Sequence, residues 1–400
     1  DEPEVRKRVQ SRFRVVLVDE YQDSNVAQYE LLKLLYGPQT YLCVVGDDDQ
    51  SIYRFRGAEV KNIINFPDVF PETDVVRLER NYRSTETILR IAGEVVSHNR
   101  GRLGKTLWTD KEGGGEAVLS FVRDQDEEAE YCARLLEDGN LEGTAILYRT
   151  NAQSRSFETL FLRRGIPYKI VGSLRFYERE EVKDAIALLH FLMNPRDEVS
   201  FRRIINKPSR GLGEKSVNRI VETSLQTGGD LFKAVTRSAS DFSGKSGKGA
   251  EEFAEYIGKL YEKLENADLG GFLKIAFKLS GLLEYHRRQD EVSHSQKVAN
   301  LEELAGAAAK YPHGFEGLED FLEDLELDRA RIAGEDPANE PGVTLITMHN
   351  TKGLEFDRVI ITGMEEGLFP SRPDEKDDEL EEERRIFYVA VTRAKRELYF

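Results

Sequence analysis

Short apolar runs rich in β-branched residues recur at positions 15–18, 41–45, 75–78, 117–122, 145–148, 343–348 and 359–362. Runs this short, with little polar alternation, are the pattern of strands buried on both faces. Between several of them, apolar residues at three- and four-residue spacing predict helices over 26–35 and 85–96. That alternation predicts an α/β class. From about 182 to 333 the pattern changes to almost continuous helix, with Ala185, Ile186, Leu188, Leu189, Phe191 and Leu192 on one face, and Leu318, Phe321, Leu322 and Leu325 on another. The spacing therefore predicts an all-α insertion between two halves of an α/β domain. A Gly/Ser/Lys loop at 238–249 falls inside it, and the Pro- and acid-rich stretch 334–342 reads as the return linker. The first residue is Asp, and 396–400 reads as a strand cut short, so a piece of a longer protein is expected.

The first run delivers Asp19 and Glu20 to the carboxyl end of a strand, where open α/β sheets carry out nucleotide chemistry. A metal-nucleotide site needs one carboxylate for the metal shell and one group to orient or deprotonate the attacking water. Asp19 suits the first role and Glu20 the second, although an Asp-Glu pair after a strand is by itself compatible with a solvated loop. After the second run, Gln50 could hydrogen-bond a terminal phosphate and lose that partner on hydrolysis. Tyr53, Arg54, Phe55 and Arg56 then interleave rings with guanidiniums, a composition suited to stacked bases and paired phosphates, or to a hairpin whose rings fill a core. Three further segments follow predicted strands or form an amphipathic helix: 77–85, where Ser84 or Thr85 suits a helix N-cap and Arg83 could reach a phosphate; 347–356, with Gly353 permitting close backbone approach; and 382–395, ending near Arg393. Any one of them alone could be a surface ion-pair face.

Composition narrows the setting. Of 400 residues 40% are hydrophobic, and no apolar stretch approaches the roughly 20 residues of a membrane span. Cys43 and Cys132 are too few and too distant in sequence for a disulfide framework or metal cluster, and no signal-peptide pattern is visible. A reducing, intracellular location is expected. The net charge of −16 argues against a general polyanion-binding surface, but eight acids fall between 374 and 383, so local basic clefts remain open.

Taken in order, the five segments resemble the superfamily 1 DNA helicases of the UvrD, Rep and PcrA family over nearly the whole chain. Residues 18–25 resemble the family's motif II, 46–57 motif III, 78–85 motif IV, 344–356 motif V and 382–395 motif VI. The resemblance implies RecA-like parallel-sheet motor domains, one of them partial: 1–78 as part of subdomain 1A, 79–181 and 341–400 as subdomain 2A, and 182–340 as the helical insertion 2B. It implies ATP and Mg2+ as cofactors. Asp19 would hold Mg2+ through its water shell, Glu20 would activate water, Gln50 would contact the γ-phosphate, and Arg83 and Arg393 would neutralise charge on the transferred group. Tyr82 would stack on adenine, Glu355 would lie near the ribose, and Gly353 would line the nucleotide. Tyr53, Phe55, Arg56, His349 and Lys352 match positions that contact single-stranded DNA; position 55 is often tryptophan in the family. In the insertion, Gly211-Leu212-Gly213 presents backbone N–H groups of the kind that hold duplex phosphates and resembles the family's duplex contact.

The implied activity is 3′ to 5′ ATP-dependent DNA unwinding on single strands and single/double-strand junctions, by a cytoplasmic, nucleoid-associated bacterial enzyme working with repair or replication proteins. A subunit of a recombination helicase-nuclease, or a non-hydrolysing DNA-binding scaffold, are the alternatives. The family's phosphate loop, Gly-x-x-x-x-Gly-Lys-Thr, is not found in these 400 residues: Gly104-Lys105-Thr106 has Asn99 where glycine is needed, and Gly244-Lys245-Ser246 has Ala239. The chain by itself should therefore hydrolyse ATP negligibly. Robust DNA-stimulated phosphate release from the purified 400 residues, abolished by Glu20→Gln, would overturn this expectation.

Overall fold

A computed structural model describes residues 3–70, 72–293, 295–333, 341–371 and 377–400. Among them the strands are β1 (Val15–Val18), β2 (Tyr41–Val44), β3 (Thr144–Tyr148), β4 (Tyr168–Val171), β5 (Val343–Thr347), β6 (Phe356–Ile361) and β7 (Ala394–Tyr399). The chain forms two compact units: Asp1–Arg149 with Gly342–Phe400, and Thr150–Pro341. The α/β class holds, with parallel pairing throughout the first unit.

In that unit β1 and β2 pair in parallel with Val15 opposite Tyr41 and Val18 opposite Val44. Because side chains alternate across a strand, Val16, Val18, Leu42 and Val44 pack on Tyr21, Leu32, Ile63, Phe66 and Phe70. The opposite face leaves Leu17 and Tyr41 largely exposed. The helix Val26–Leu35 begins at Asn25, whose side chain accepts from the Gln28 N–H while Gln28 returns a bond to the Asn25 N–H, a capping box. Further along, β5, β3, β6 and β7 lie side by side in that order, all parallel. β3 and β5 are buried along their whole length, which is why they read as continuous apolar runs. The helix Glu86–Ser97 covers part of this layer with Ile88, Leu89, Ala92 and Val96.

Two expected strands are absent. Residues 75–78 have no ladder partner, and Val76 and Leu78 are exposed. Nearby main-chain bonds are confined to Glu79 and Asn81 with Trp108. Residues 117–122 form only a bridge from Val118 to Tyr399, with bonds to Leu398 and Phe400, and Phe121 points to solvent. Apolar, β-branched composition favours extended backbone, but a strand also needs a neighbour to share its hydrogen bonds. The expected cap also differs: Thr85 occupies the N-cap position without a side-chain cap bond, and Ser84 Oγ donates instead to the Ala394 carbonyl at 2.6 Å. Asn81 Oδ1 turns the chain there, accepting from the N–H groups of Arg83 and Ser84.

The second unit is helical apart from β4. It takes in 150–181 as well as the expected insertion, because residues from this stretch are tied to its helices by buried polar bonds. Arg179 donates to the Asn151 carbonyl and Asn300 Oδ1, both at 2.9 Å, and Arg155 pairs with Glu303 at 2.6 Å. Phe191, Phe201 and Phe253 meet at centroid distances of 5.6–5.9 Å in its core. The expected loop at 238–249 is largely the start of the helix Lys245–Leu264. Of the expected return linker, 334–340 lies outside the described residues, as does 372–376, which takes in the start of the acidic run. No helix among the described residues is long and apolar enough to cross a membrane.

The start of helix Lys245–Leu264 rests on the turn at Gly211. Ser246 Oγ donates to the Gly211 carbonyl at 2.8 Å, and a Cβ at Gly249 would lie 2.0 Å from the Arg210 carbonyl oxygen. Gly249→Ala should cost about 1–3 kcal/mol through that collision, read as a lower thermal midpoint of the unit. An unchanged midpoint would show that the helix start can move off the turn.

Candidate functional site

The tips of β1 and β2 are sewn together by main chain and by one buried amide. The Val45 N–H donates to Val18 O at 2.7 Å and the Tyr21 N–H to Val45 O at 3.0 Å. Gln22, fully buried, accepts from the Asp47 N–H through Oε1 at 3.0 Å and donates through Nε2 to Glu20 Oε2 at 2.5 Å. Room for that amide exists because position 46 is glycine: a Cβ there would lie 2.5 Å from Gln22 Oε1 and 2.7 Å from Ile63 Cδ1. Glu20 itself has φ 51°, ψ 38°, a left-handed conformation uncommon for a residue with a side chain. The Asp19 carboxylate accepts the Glu20 N–H at 2.9 Å, so the two acids diverge from one point. A cavity of about 310 Å³ opens beside them, lined by Asp19, Glu20, Asp23, Val16 and Leu31 among others.

Lys352 reaches this tip from the 3₁₀ turn that follows β5. Its Nζ lies 3.0 Å from Glu20 Oε2, donates to Asp23 Oδ2, and is 3.4 Å from the Gln50 carbonyl. Partial burial works to raise the Glu20 pKa, but the bonds from Gln22 and Lys352 outweigh it and the net shift is downward. The Gln50 side chain donates to Asp47 Oδ2 at 2.7 Å. Lys352 thus meets the Glu20 carboxylate and the main-chain carbonyl of Gln50, while the Gln50 side chain is turned to Asp47.

Two arginines close the other side. Arg83 donates through Nε to Glu355 Oε2 at 2.9 Å and through Nη1 to the Thr392 carbonyl at 3.3 Å. Lys395 approaches the other Glu355 oxygen at 2.8 Å, and Lys395 and Arg83 together draw the Glu355 pKa down to about 2. Arg393 is 3% exposed, and its guanidinium bonds to the Val389 carbonyl, the Thr392 hydroxyl and, at 3.4 Å, the Leu354 carbonyl. Among the described residues no carboxylate pairs with it. Burial, reinforced by the positive charge of Arg83, pushes its pKa down to about 10, while the fields of Asp47 and Glu20 act in the opposite direction. Arg393 therefore lies within the fields of Arg83, Asp47 and Glu20. Gly353, at φ 87°, leaves the turn beside Glu355 with no atom within 4 Å of where a Cβ would be. Tyr82 is mostly exposed, with the Arg80 guanidinium 4.9 Å from its ring centroid.

The rings after β2 form a second cluster, continuous with the first through Lys352. Tyr53 and Phe55 are 6.0 Å apart, His349 meets Phe55 edge-on at 5.6 Å, and Arg56 lies 5.2 and 5.4 Å from the Tyr53 and Phe55 centroids. Lys352 Nζ is 5.6 Å from the Tyr53 ring. The rings do not fill a core: Phe55 is 40% exposed. Gly211 and Gly213 belong to the helical unit, where Gly211 has φ 74° and Gly213 caps the helix Glu214–Ser224, with Leu212 buried between them.

Both phosphate-loop look-alikes have structural partners. Lys105 pairs with Asp47 and, at 3.0 Å, with Asp49; Arg102 grips Asp49 bidentately at 2.7 and 2.5 Å. Lys245 and Ser246 support the Gly211 turn. Sequence reasoning missed the Arg102/Lys105 strap, the clamp made by Gln22 and the turn made by Asn81. Gln22 carried one available signal, an amide following the acid pair at a strand end, but its burial under Gly46 is a tertiary fact.

The sequence model of the UvrD-like helicase C-terminal domain matches residues 76–400, and that of the UvrD/REP helicase N-terminal domain matches residues 1–71. The chain is 42% identical to an ATP-dependent DNA helicase PcrA of Staphylococcus epidermidis, with 99% of this chain aligned to 56% of the relative. A PcrA of Staphylococcus aureus is 41% identical over the same shares. The chain thus spans about half the length of the curated relatives it matches.

His349 supplies a pH test of the ring cluster. Burial, with the positive charges of Arg149 and Arg56, holds the imidazole neutral and pushes its pKa down to about 3. An unfolded chain takes up that proton near about pH 6.5. Between those values the unfolded state binds more protons, so this group's contribution to stability is present above about 6.5 and is lost as pH falls through the folded value. The His349 ring resonances should keep their neutral position as the solution is acidified below the ordinary imidazole range; titration within that range would show a solvated ring.

Proposed function

Because the chain belongs to the UvrD-like helicase family, we propose that the protein is an ATP-dependent DNA helicase that couples nucleotide hydrolysis to 3′ to 5′ movement on single-stranded DNA and to duplex unwinding. The observation that carries this reading is Arg393: a buried guanidinium with no carboxylate partner among the described residues, beside Arg83 and facing the Glu20 and Asp47 fields. A buried cation left without a counter-charge is costly unless an anion comes to meet it. A terminal phosphate fits that requirement, since phosphoryl transfer develops charge on the transferred group and arginines are suited to it.

In this reading Asp19 would hold Mg2+, and the ion would supply charge neutralisation at the phosphates. Glu20 accepts the proton of the attacking water, and Gln50 contacts the γ-phosphate from the β2 tip. Arg83 exchanges Glu355 for phosphate, which leaves Glu355 near the ribose, while the exposed Tyr82 ring receives the base and Gly353 lets the backbone approach. Tyr53 and Phe55 stack bases, Arg56 reaches the phosphate chain, and neutral His349 contributes its ring rather than a charge. Gly211 and Gly213 offer main-chain N–H groups to a duplex backbone. Single strands, junctions and proteins of DNA repair or replication are the partners this implies, in the bacterial cytoplasm near the nucleoid.

In the full-length protein, Arg393→Ala should lower DNA-stimulated kcat by about 10³ to 10⁵-fold, the range for an arginine that neutralises the transferred phosphoryl group. Steady-state ATPase assays at saturating oligonucleotide measure it. A loss below tenfold would remove Arg393 from the reacting centre.

A further inference from the structure

Lys352 has three N–H donors and all three are in use: Glu20 Oε2, Asp23 Oδ2 and the Gln50 carbonyl. Its fourth neighbour is the face of Tyr53. A phosphate lying against the Tyr53 ring can therefore engage this ammonium only by taking a donor from one of these three acceptors, and Glu20, whose side chain is exposed, is the one most readily released to solvent. Glu20 Oε2 is held twice, by Gln22 Nε2 and by Lys352. With that oxygen occupied it is poorly placed to take a proton from water.

We propose that Lys352 is a cation shared in competition: Glu20 and Asp23 hold it when no strand is bound, and a backbone phosphate of single-stranded nucleic acid stacked on Tyr53 draws it away, releasing Glu20. This rests on the DNA and nucleotide reading of the two clusters and adds a means by which strand occupancy reaches the acid that activates water. Lys352 is then a positioning residue for Glu20. The geometry suits an exchange, because the lysine side chain is only 10% exposed while its Glu20 partner is 61% exposed, so the carboxylate can turn to solvent without burying an unpaired charge. Linkage makes the effect reciprocal: whatever weakens the hold of the acids on Lys352 strengthens strand binding by the same factor.

The test uses the 400-residue chain and a labelled thymidine oligonucleotide, followed by fluorescence anisotropy across a salt series. Glu20→Gln removes one competitor at an exposed side chain and should tighten binding by about fivefold. That gain should disappear in a Lys352→Gln background, and Lys352→Gln alone should flatten the log–log salt slope by about 0.7, the contribution of one single-strand phosphate contact. Unchanged affinity in Glu20→Gln, in a chain that binds the oligonucleotide, would overturn the competition and leave Lys352 as a structural ion pair. A gain that persists without Lys352 would also overturn it, since a general electrostatic field would then account for the change. Failure of the wild-type chain and every variant to bind the strand would instead remove the DNA reading on which the competition rests.

Discussion

The first unit holds a guanidinium, that of Arg393, that is taken out of water with no carboxylate partner among the described residues. Arg393 lies at the junction of the helix Asp377–Val391 and β7, and its own carbonyl accepts the Phe356 N–H at 2.9 Å, so the main chain that carries it is pinned to β6. Carbonyl oxygens and a hydroxyl satisfy its N–H groups but leave its charge uncompensated. Such an arrangement costs stability. It is compatible with a folded protein because the inner strands of its sheet, β3 and β5, are buried along their length and because the fields of Asp47 and Glu20 offset part of the cost. What results is a buried positive charge held by main-chain carbonyls within the fields of Asp47 and Glu20. Preorganised charge is worth more to a reaction than charge that must first rearrange.

The acids facing it are fixed by a different device. Gln22 occupies the space that a side chain at Gly46 would fill, and its amide ties the Glu20 carboxylate to the main chain of Asp47. The two strand tips therefore move as one piece. Lys352 then joins this piece to the turn after β5 and to the Tyr53 ring. The Arg102/Lys105 strap does the same from the segment between Tyr82 and Trp108's neighbourhood to the aspartates after β2. Charge pairs at partly buried positions hold these segments in register while leaving them able to exchange partners, which close apolar packing would not.

The helical unit uses buried polarity differently. Asp184, fully buried, meets Arg203 at 2.7 Å, Lys207 at 2.6 Å and His286 at 3.3 Å. Glu158 and Arg179 form a second buried group with Ser154 and Asn300. Every charged member of these groups has a partner within the unit, in contrast to Arg393. These ion pairs fix how helices sit against one another, although both ring nitrogens of His286 are buried without a hydrogen bond.

The sequence by itself determined much of this protein. The apolar runs at 145–148 and 343–347 are legible as buried strands because both faces are apolar, and 15–18 is legible as a strand although one of its faces is exposed; the spacing of Ala185 to Leu192 is that of a buried helix face; and the acid pair, the amide, the interleaved rings and the two arginines are each legible as candidate chemistry. Such features are local, since each depends on residues within a few positions of one another. Tertiary structure decided the rest. Residues 75–78 and 117–122 have strand composition, yet their state depended on whether a neighbour offered a hydrogen-bonding edge. Spacing alone excludes Lys105 and Lys245 from a phosphate loop, but their actual partners, Asp47 and the Gly211 turn, come from distant segments. Arg393 could be named from the sequence, but its burial with no carboxylate partner among the described residues is a property of the assembled environment rather than of any stretch of chain.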